Sequence, residues 1–486
     1  MTLNKVLKRG VAIVLSVALV GSVAGCKKTS QPADPSLATE VPDYSDSTAR
    51  MNMYSYICPT PGNYTTAAGA QVYIGDQRSV QSFQEYKDCG FDTLMLLGND
   101  AYRGQDWETS DLKRNLEMAE EVGLNVIVHD DRIHVLSTQK ESLIGEGKEY
   151  SSLEELSAQI KEWMSPYIDH PVFYGMSLMD EPSHCNFQAL SEVTKAIKMI
   201  DENIYVHTVL FPYLEGVTIE QFTGKSFGNV TVDSYKTYIG DYLDMSEADY
   251  VGYDNYPFMA DGLLSSFYLN LQIAVAEAAE READVVLSVQ SSCWDTMRKV
   301  EEDDLRFQGY SALALGAKNL VYYTYYMFPN QALANYRQAI KDNDGTNIIY
   351  DEVQRVNAEL QELAKVLLHF DYEKATFTYD KENAISAPTL FSGLKNEELK
   401  GVEIVSVTQP TMITQMKDSE KDLTGYMVMN SSDPEDNLTN NVHVKFEGYD
   451  YATIYVKGVP ETVGLTDSVL TLTLETGEGV FVIPHK

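Results

Sequence analysis

From residue 50 onward the chain alternates between two kinds of hydrophobic pattern. Short apolar or aromatic runs recur at 53–58, 91–97, 125–130, 172–179, 204–211, 250–256, 285–290 and 320–326. Each is short and apolar on both faces, as a parallel strand must be when it is buried between a barrel interior and a layer of helices. The stretches between them are amphipathic with helical period. Leu112, Leu116, Ala119 and Val122 recur at three and four residues, as do Leu153, Leu156, Ile160 and Trp163 behind a capping-box pair, Ser151 and Glu154. Val353, Val356, Leu360, Leu363 and Leu367 repeat the pattern after the eighth run. Gly90, Gly123 and Gly316 stand just before strands, where a helix C-cap calls for positive φ. Eight strand–helix units predict an α/β fold, a closed (β/α)8 TIM barrel over residues 51–372, in preference to an open doubly wound sheet. No glycine-rich phosphate turn follows the first run, which further disfavours a dinucleotide fold.

After about Phe370 the period changes to two. Thr, Val, Tyr and Ile alternate with polar residues, and the last such segments run from Val463 through Leu470, Leu472 and Leu474 to Ile483. Residues 373–486 are therefore expected to form a β-sandwich that supports the barrel or touches glycan, without chemistry of its own.

The N-terminus follows another logic. Lys5, Lys8 and Arg9 precede an apolar run over 11–20, then Gly21 to Cys26. The order of positive, apolar and small residues reads as a signal peptide over 1–25, and the run is too short to span a bilayer core, which needs about 20 apolar residues. Val23-Ala24-Gly25-Cys26 resembles the bacterial lipobox, which implies that Cys26 is acylated after cleavage. Residues 26–50, rich in Ser, Thr, Pro and Asp, are expected to be a flexible tether behind that lipid. The expected location is the bacterial cell envelope, outside the cytoplasm, with the membrane contacted through the lipid anchor alone.

The formal net charge of -35 excludes nucleic acid as a partner and favours neutral or cationic ones. Beyond Cys26 the cysteines are Cys58, Cys89, Cys185 and Cys293, too scattered for a disulfide scaffold. Cys58, Cys185, Cys293 and His184 fall near the expected catalytic face. No two of the cysteines have the close spacing of a zinc pair, so neither metal nor cofactor is expected.

Barrel active sites are built at the C-terminal ends of the strands. Run four ends in Asp180-Glu181-Pro182, run six in Asp254-Asn255-Tyr256-Pro257, and run seven in Gln290 with Trp294 close behind. Run three ends in His129-Asp130, and run eight supplies Tyr322, Tyr323, Tyr325 and Tyr326. The stretch from Val172 to Pro182 resembles the fourth strand of clan A glycoside hydrolases, where a Glu preceding Pro is the general acid/base. The segment from Asp304-Leu305-Arg306-Phe307 through Gly316-Ala317-Lys318 to Tyr322-Tyr323-Thr324-Tyr325 is similar to helix seven and strand eight of β-galactosidase-like barrels in that clan.

The resemblance implies that Glu181 is the acid/base, a carboxylic acid that must keep its proton near neutral pH. Two positions depart from the clan: Asp180 stands where Asn is usual, and Gln290 where the nucleophilic Glu is expected. An adjacent Asp-Glu pair is similar to substrate-assisted hexosaminidases, including a β-N-acetylgalactosaminidase family. There the Asp orients the 2-acetamido group, whose oxygen attacks the anomeric carbon. Asp254 or Asp130 is the other candidate for nucleophile or base. Gln290, Tyr256, Tyr322, Trp294, His129 and Asp130 are expected to contact sugar, the aromatic ones by stacking. The chain is thus expected to be a glycoside hydrolase acting on oligosaccharides or glycans at the cell surface. The alternative is a non-catalytic glycan-binding lipoprotein on a degenerate barrel.

Overall fold

A computed structural model describes residues 32–39, 41–59, 63–65, 71–73, 75–97, 100–214, 230–327, 335–380 and 389–486. The leader and Cys26 lie outside the described residues. Each of the eight apolar runs contains a strand: β1 (Asn52–Ser55), β2 (Thr93–Met95), β3 (Asn125–Val128), β4 (Phe173–Asp180), β5 (Tyr205–Leu210), β6 (Tyr250–Asp254), β7 (Asp284–Gln290) and β8 (Asn319–Tyr323). They pair in parallel, in sequence order, and close through β1 against β8, with Asn52 opposite Asn319 and Ser55 opposite Tyr322. Burial on both faces explains their uniform apolarity: every residue of β5 is buried, as are the last six of β7.

The helices between them end where their sequences say they should. α2 (Asp111–Val122) starts behind Ser110, whose hydroxyl accepts from the Lys113 amide, and ends on Gly123 at φ 71°. A side chain there would be strained in the left-handed region. α4 (Leu153–Met164) is capped one residue later than the sequence suggests: Ser152 accepts from the Glu155 amide, while Ser151 donates to the Glu155 carboxylate. The later helices are α5 (Phe187–Ile200), α6 (Val232–Ser246), α7 (Phe267–Ala279), α8 (Glu302–Ala314) and α9 (Tyr350–Leu367), and a short α3 (Asp131–Ser137) follows β3.

The C-terminal module begins at Asp371. Its six-stranded sheet runs β9 (Asp371–Thr378), β11 (Thr411–Asp418), β12 (Leu423–Asn430), β17 (Gly479–His485), β14 (Tyr451–Val456) and β15 (Val459–Gly464). The facing three-stranded sheet is β10 (Val402–Val407), β13 (Asn440–Phe446) and β16 (Val469–Leu474). Ile413, Val428, Val442, Val444, Leu472 and Val482 fill the space between them, so the module is a sandwich with its own core. The outer face of the larger sheet joins the barrel core: Met427, Met429 and Phe481 pack into it, with the Phe481 ring 5.0 Å from that of Phe370.

The expected free tether is corrected in part. Residues 32–39 and 41–50 pack against the sandwich: Ala33 donates to the Leu465 carbonyl, and Tyr44 is 3 % exposed, with its hydroxyl on Asp418 at 2.9 Å. A buried tyrosine with a carboxylate partner anchors the segment, although its composition is that of a linker. Among the described residues no helix is long and apolar enough to cross a membrane.

Candidate active site

The site begins with an irregularity in β4. Its register against β5 slips between Ser177 and Met179, a bulge that adds one residue to β4. Beyond the bulge Asp180 pairs with Val209, and the Glu181 amide donates to the Val209 carbonyl at 2.8 Å. Glu181 has φ 46°, an uncommon conformation for a residue with a side chain. Two consecutive strand residues ordinarily point to opposite faces. The left-handed turn at Glu181 instead brings both carboxyls into one cleft. The Tyr238 hydroxyl on the Pro182 carbonyl, at 2.5 Å, holds the turn from behind.

Asp254, the last residue of β6, meets them from the side. The cleft it shares with Asp180 and Glu181 is about 200 Å³ and is otherwise lined by Tyr56, Val209, Tyr256, Trp294 and Tyr323. The aromatic side chains form a continuous wall: ring centroids lie 5.3 Å apart for Tyr256 and Trp294, 5.4 Å for Trp294 and Tyr323, and 5.5 Å for Tyr56 and Tyr323. Tyr336 extends it, 5.3 Å from Trp294 and with its hydroxyl 2.8 Å from that of Tyr323.

The three carboxyls differ electrostatically. Burial first, and the charge of Asp180 second, push Glu181 up to about 7, against a hydrogen bond with Asp254 that pulls it down. Burial and the neighbouring Glu181 and Asp180 push Asp254 well above the carboxylate range. Neighbouring like charges in a desolvated site resist ionising together, so the protonated form is favoured at Asp254 and persists at Glu181 to near neutral pH. Burial also raises Asp180, but the Tyr56 hydroxyl, donating to its Oδ1 at 2.9 Å, opposes the rise.

Of the residues anticipated from sequence, Glu181, Asp180, Asp254, Tyr256 and Trp294 line this cleft. Four others do not. Gln290 is fully buried, and its carboxamide clamps Phe258, accepting from the amide at 2.9 Å and reaching the carbonyl at 3.4 Å. Tyr322 points outward into the helix layer and donates to Asn357 at 2.5 Å; its neighbour Tyr323 faces the cleft. Asp130 is fully buried and N-caps α3, taking a bidentate pair from Arg132 at 3.0 and 2.6 Å and the Tyr167 hydroxyl at 3.0 Å. His129 stacks near His134, with ring centroids at 4.7 Å, and meets Asp131 at 3.3 Å. Sequence reading passed over Tyr56 and Tyr323, the latter in favour of Tyr322, and missed Tyr336. The first two lie inside anticipated strand runs, but a strand buried on both faces carries no signal saying which residues face inward.

A larger groove, about 1210 Å³, lies along α3 and the loop after it. Of its charged groups, Arg103 pairs with Asp131, Arg132 with Asp130 and Lys148 with Glu141. Among the described residues no cluster of His, Cys, Asp and Glu could hold a metal ion.

The family Glyco_hydro_42, described as beta-galactosidase, matches residues 194–363, from within α5 to within α9. This meets the resemblance to clan A barrels drawn from the sequence, as does the closed eight-stranded barrel. The match includes Asp254 and Gln290 and stops short of Asp180 and Glu181. No curated protein matches the chain in sequence. Similar solved structures include an Anoxybacillus α-amylase, at 12 % identity and TM-score 0.49, covering 92 % of this chain and 99 % of that one. A Geobacillus thermoleovorans α-amylase complexed with acarbose has 12 % identity and TM-score 0.47, with 90 % and 98 % covered. A β-galactosidase from Rahnella sp. R3 has 12 % identity and TM-score 0.42, with 69 % and 59 % covered. At these values nothing about substrate or reaction transfers.

Proposed function

We propose that the chain is a glycoside hydrolase that cleaves a sugar from an oligosaccharide or glycan, with Glu181 as proton donor. The observation that carries this reading is the meeting of Glu181, Asp180 and Asp254 in one cleft walled by aromatic rings. A glycosidic oxygen leaves when it is protonated as the bond breaks, which calls for an acid that still holds its proton near neutral pH. Burial and Asp180 give Glu181 that property. Tyr256, Trp294 and Tyr323 offer ring faces to the C–H face of a pyranose.

Retaining enzymes hold their two carboxyls about 5–5.5 Å apart and inverting ones about 6.5–9.5 Å. Either role for a second carboxyl needs it ionised, and burial with the neighbouring acids holds Asp254 well above the carboxylate range, so before substrate enters it favours the protonated form. With Gln290 turned away on Phe258, β7 supplies no carboxylate to the cleft. Asp180 fits the remaining requirement of a substrate-assisted route. It orients a 2-acetamido group and balances the positive charge that develops as the acetamido oxygen closes on the anomeric carbon. Glu181 protonates the departing oxygen, and water later opens the cyclic intermediate. The same reading puts the enzyme outside the cytoplasm, held by a lipid on Cys26.

A panel of nitrophenyl and unactivated glycosides, with and without 2-acetamido groups, tests this. Wild-type protein should turn over 2-acetamido sugars. Glu181→Gln should lower kcat on poor leaving groups by about 10²–10⁴-fold while leaving binding largely intact. Asp180→Asn should lower kcat strongly on acetamido sugars, because a neutral amide cannot balance the developing charge. Turnover confined to sugars without the acetamido group, and insensitive to Asp180→Asn, would move the nucleophile's part to Asp254. Sugar binding without turnover across the panel would favour the glycan-binding alternative, to which the buried Gln290 on β7 points.

A further inference from the structure

Beneath Asp180 a row of side chains runs down the barrel interior. The Tyr56 hydroxyl lies 2.9 Å from Asp180 Oδ1 and 3.4 Å from His207 Nε2. His207 Nδ1 is 3.0 Å from the Tyr54 hydroxyl, which is 2.8 Å from that of Tyr205. The side chains come from two strands and the end of a third: Tyr54 from β1 with Tyr56 just beyond it, Tyr205 and His207 from β5, and Asp180 at the end of β4. Tyr54 is wholly buried, His207 and Tyr205 are 3 % exposed and Tyr56 is 8 % exposed, so no member can exchange its partner freely for solvent.

The donors and acceptors in this row can be assigned in one direction. An ionised carboxylate only accepts, so the single Tyr56 proton goes to Asp180. The Tyr56 oxygen then accepts from His207, which puts the imidazole proton on Nε2. Nδ1 is left bare and accepts from Tyr54, and the Tyr54 oxygen accepts from Tyr205. Every proton points toward Asp180. Burial lowers His207 to about 3, so the imidazole is neutral with one proton and the direction is kept. Protonation of Asp180 would weaken the bond at the top of the row, because a neutral carboxyl accepts less strongly than a carboxylate.

We propose that Tyr56 and His207 are positioning residues that hold Asp180 as the charged acceptor of the cleft and leave the transferable proton to Glu181 and Asp254. The assignment rests on the glycosidase reading for its catalytic meaning and on geometry for the rest. Each group facing Asp180 has a place in it: Tyr56 after β1 donates to it, His207 on β5 orients Tyr56, and Glu181 beyond β4 and Asp254 on β6 repel its charge. Tyr256, after β6, closes the cleft beside them. Inside a low-dielectric site such a row strengthens its own terminal hydrogen bond, because each member polarises the next.

The test reads the row directly. In full-length protein with ¹³C-labelled aspartate carboxyls, the Asp180 signal is identified by its loss in Asp180→Asn and followed through pH. Tyr56→Phe should move its titration upward by about one pH unit, because a hydrogen bond to the charged form has been removed. His207→Leu should move it upward by less. In wild-type protein ¹⁵N shifts of His207 should report a neutral Nε2–H imidazole down to about pH 5. No movement in either variant overturns the proposal; movement in Tyr56→Phe alone overturns the part given to His207, as does an Nδ1–H or cationic ring. With an active glycoside in hand, Tyr56→Phe should lower kcat about tenfold or more with KM within about threefold, and shift the acid limb of kcat upward. A wild-type protein inactive on every glycoside would end the glycosidase reading, and the titrations would still decide whether the row holds Asp180 charged.

Discussion

At the scale of single residues, Glu181 carries the sharpest thermodynamic signature. Its carboxyl is raised from 4.5 to about 7, so between those values the folded protein binds more protons than the unfolded chain. Stability therefore falls as pH rises from about 4.5 through about 7. Glu181→Gln removes this cost, and the variant should be more stable than wild type at about pH 8, by about 1–3 kcal/mol, with the difference closing by about pH 4. Paired thermal melts across that range measure it; a constant offset at every pH would contradict the raised carboxyl. Activity should fall over the same window, since the acid loses its proton there. Gln290 is the opposite case, a polar residue with a purely local task. Gln290→Leu leaves the buried Phe258 amide without an acceptor and should cost about 1–3 kcal/mol in denaturant unfolding. Gln290→Glu should confer no hydrolysis, because the side chain is fully enclosed and does not open on the cleft.

Among the elements, β4 and α3 show how one strand end opens its acids on the cleft while its neighbour turns an acid to stability. The bulge and left-handed turn at the end of β4 aim two acids at the cleft. The end of β3 offers an equally acidic sequence, but Asp130 there caps α3 and neutralises Arg132. Asp130→Ala strands the guanidinium and the Tyr167 hydroxyl and removes the cap, for about 2–4 kcal/mol of stability. At a temperature where the variant is folded, its kcat should equal that of wild type. A catalytic loss as large as that of Glu181→Gln would restore Asp130 to the site. The close seat of α8 on α9, where a Cβ on Gly309 would lie 2.5 Å from Leu360, fixes the helices behind β7 and β8.

Over the whole molecule, the sandwich supports the wall of the cleft through a short mechanical path. Asp433 of the sandwich and Asp304 of α8 both hold Arg298, at 2.9 and 2.6 Å, and its guanidinium lies 4.6 Å from the Phe258 ring. Phe258 is in turn clamped by Gln290, two residues beyond Tyr256. Tyr268 on α7 adds a second tie, 3.1 Å from Ser431. Ala33 and Tyr44 tie the segment before the barrel to the same module. Cys26→Ala should move the protein from the membrane fraction to the soluble one, or leave the leader uncleaved. Unchanged fractionation with an unacylated N-terminus would refute the anchor.

The amino-acid sequence by itself determined the eightfold alternation, the change to period two near residue 370 and the acids that could end strands. These are properties of local burial, and burial is written in hydrophobic period. That Glu181, Asp180 and Asp254 would meet in one cleft was legible because each stands at the end of a barrel strand. What the tertiary structure decided was phase and partnership. A strand buried on both faces reads the same in either phase, so Tyr322 and Tyr323 are exchanged without any change in pattern. Asp130 and Gln290 look as reactive in sequence as Asp254 does. Their oxygens and amides are occupied by Arg132, Tyr167 and Phe258, residues that meet them only when the barrel closes. The row from Tyr205 to Asp180 is of the same kind: its members lie far apart in sequence, and closure of β1 against its neighbours brings them within hydrogen-bonding distance.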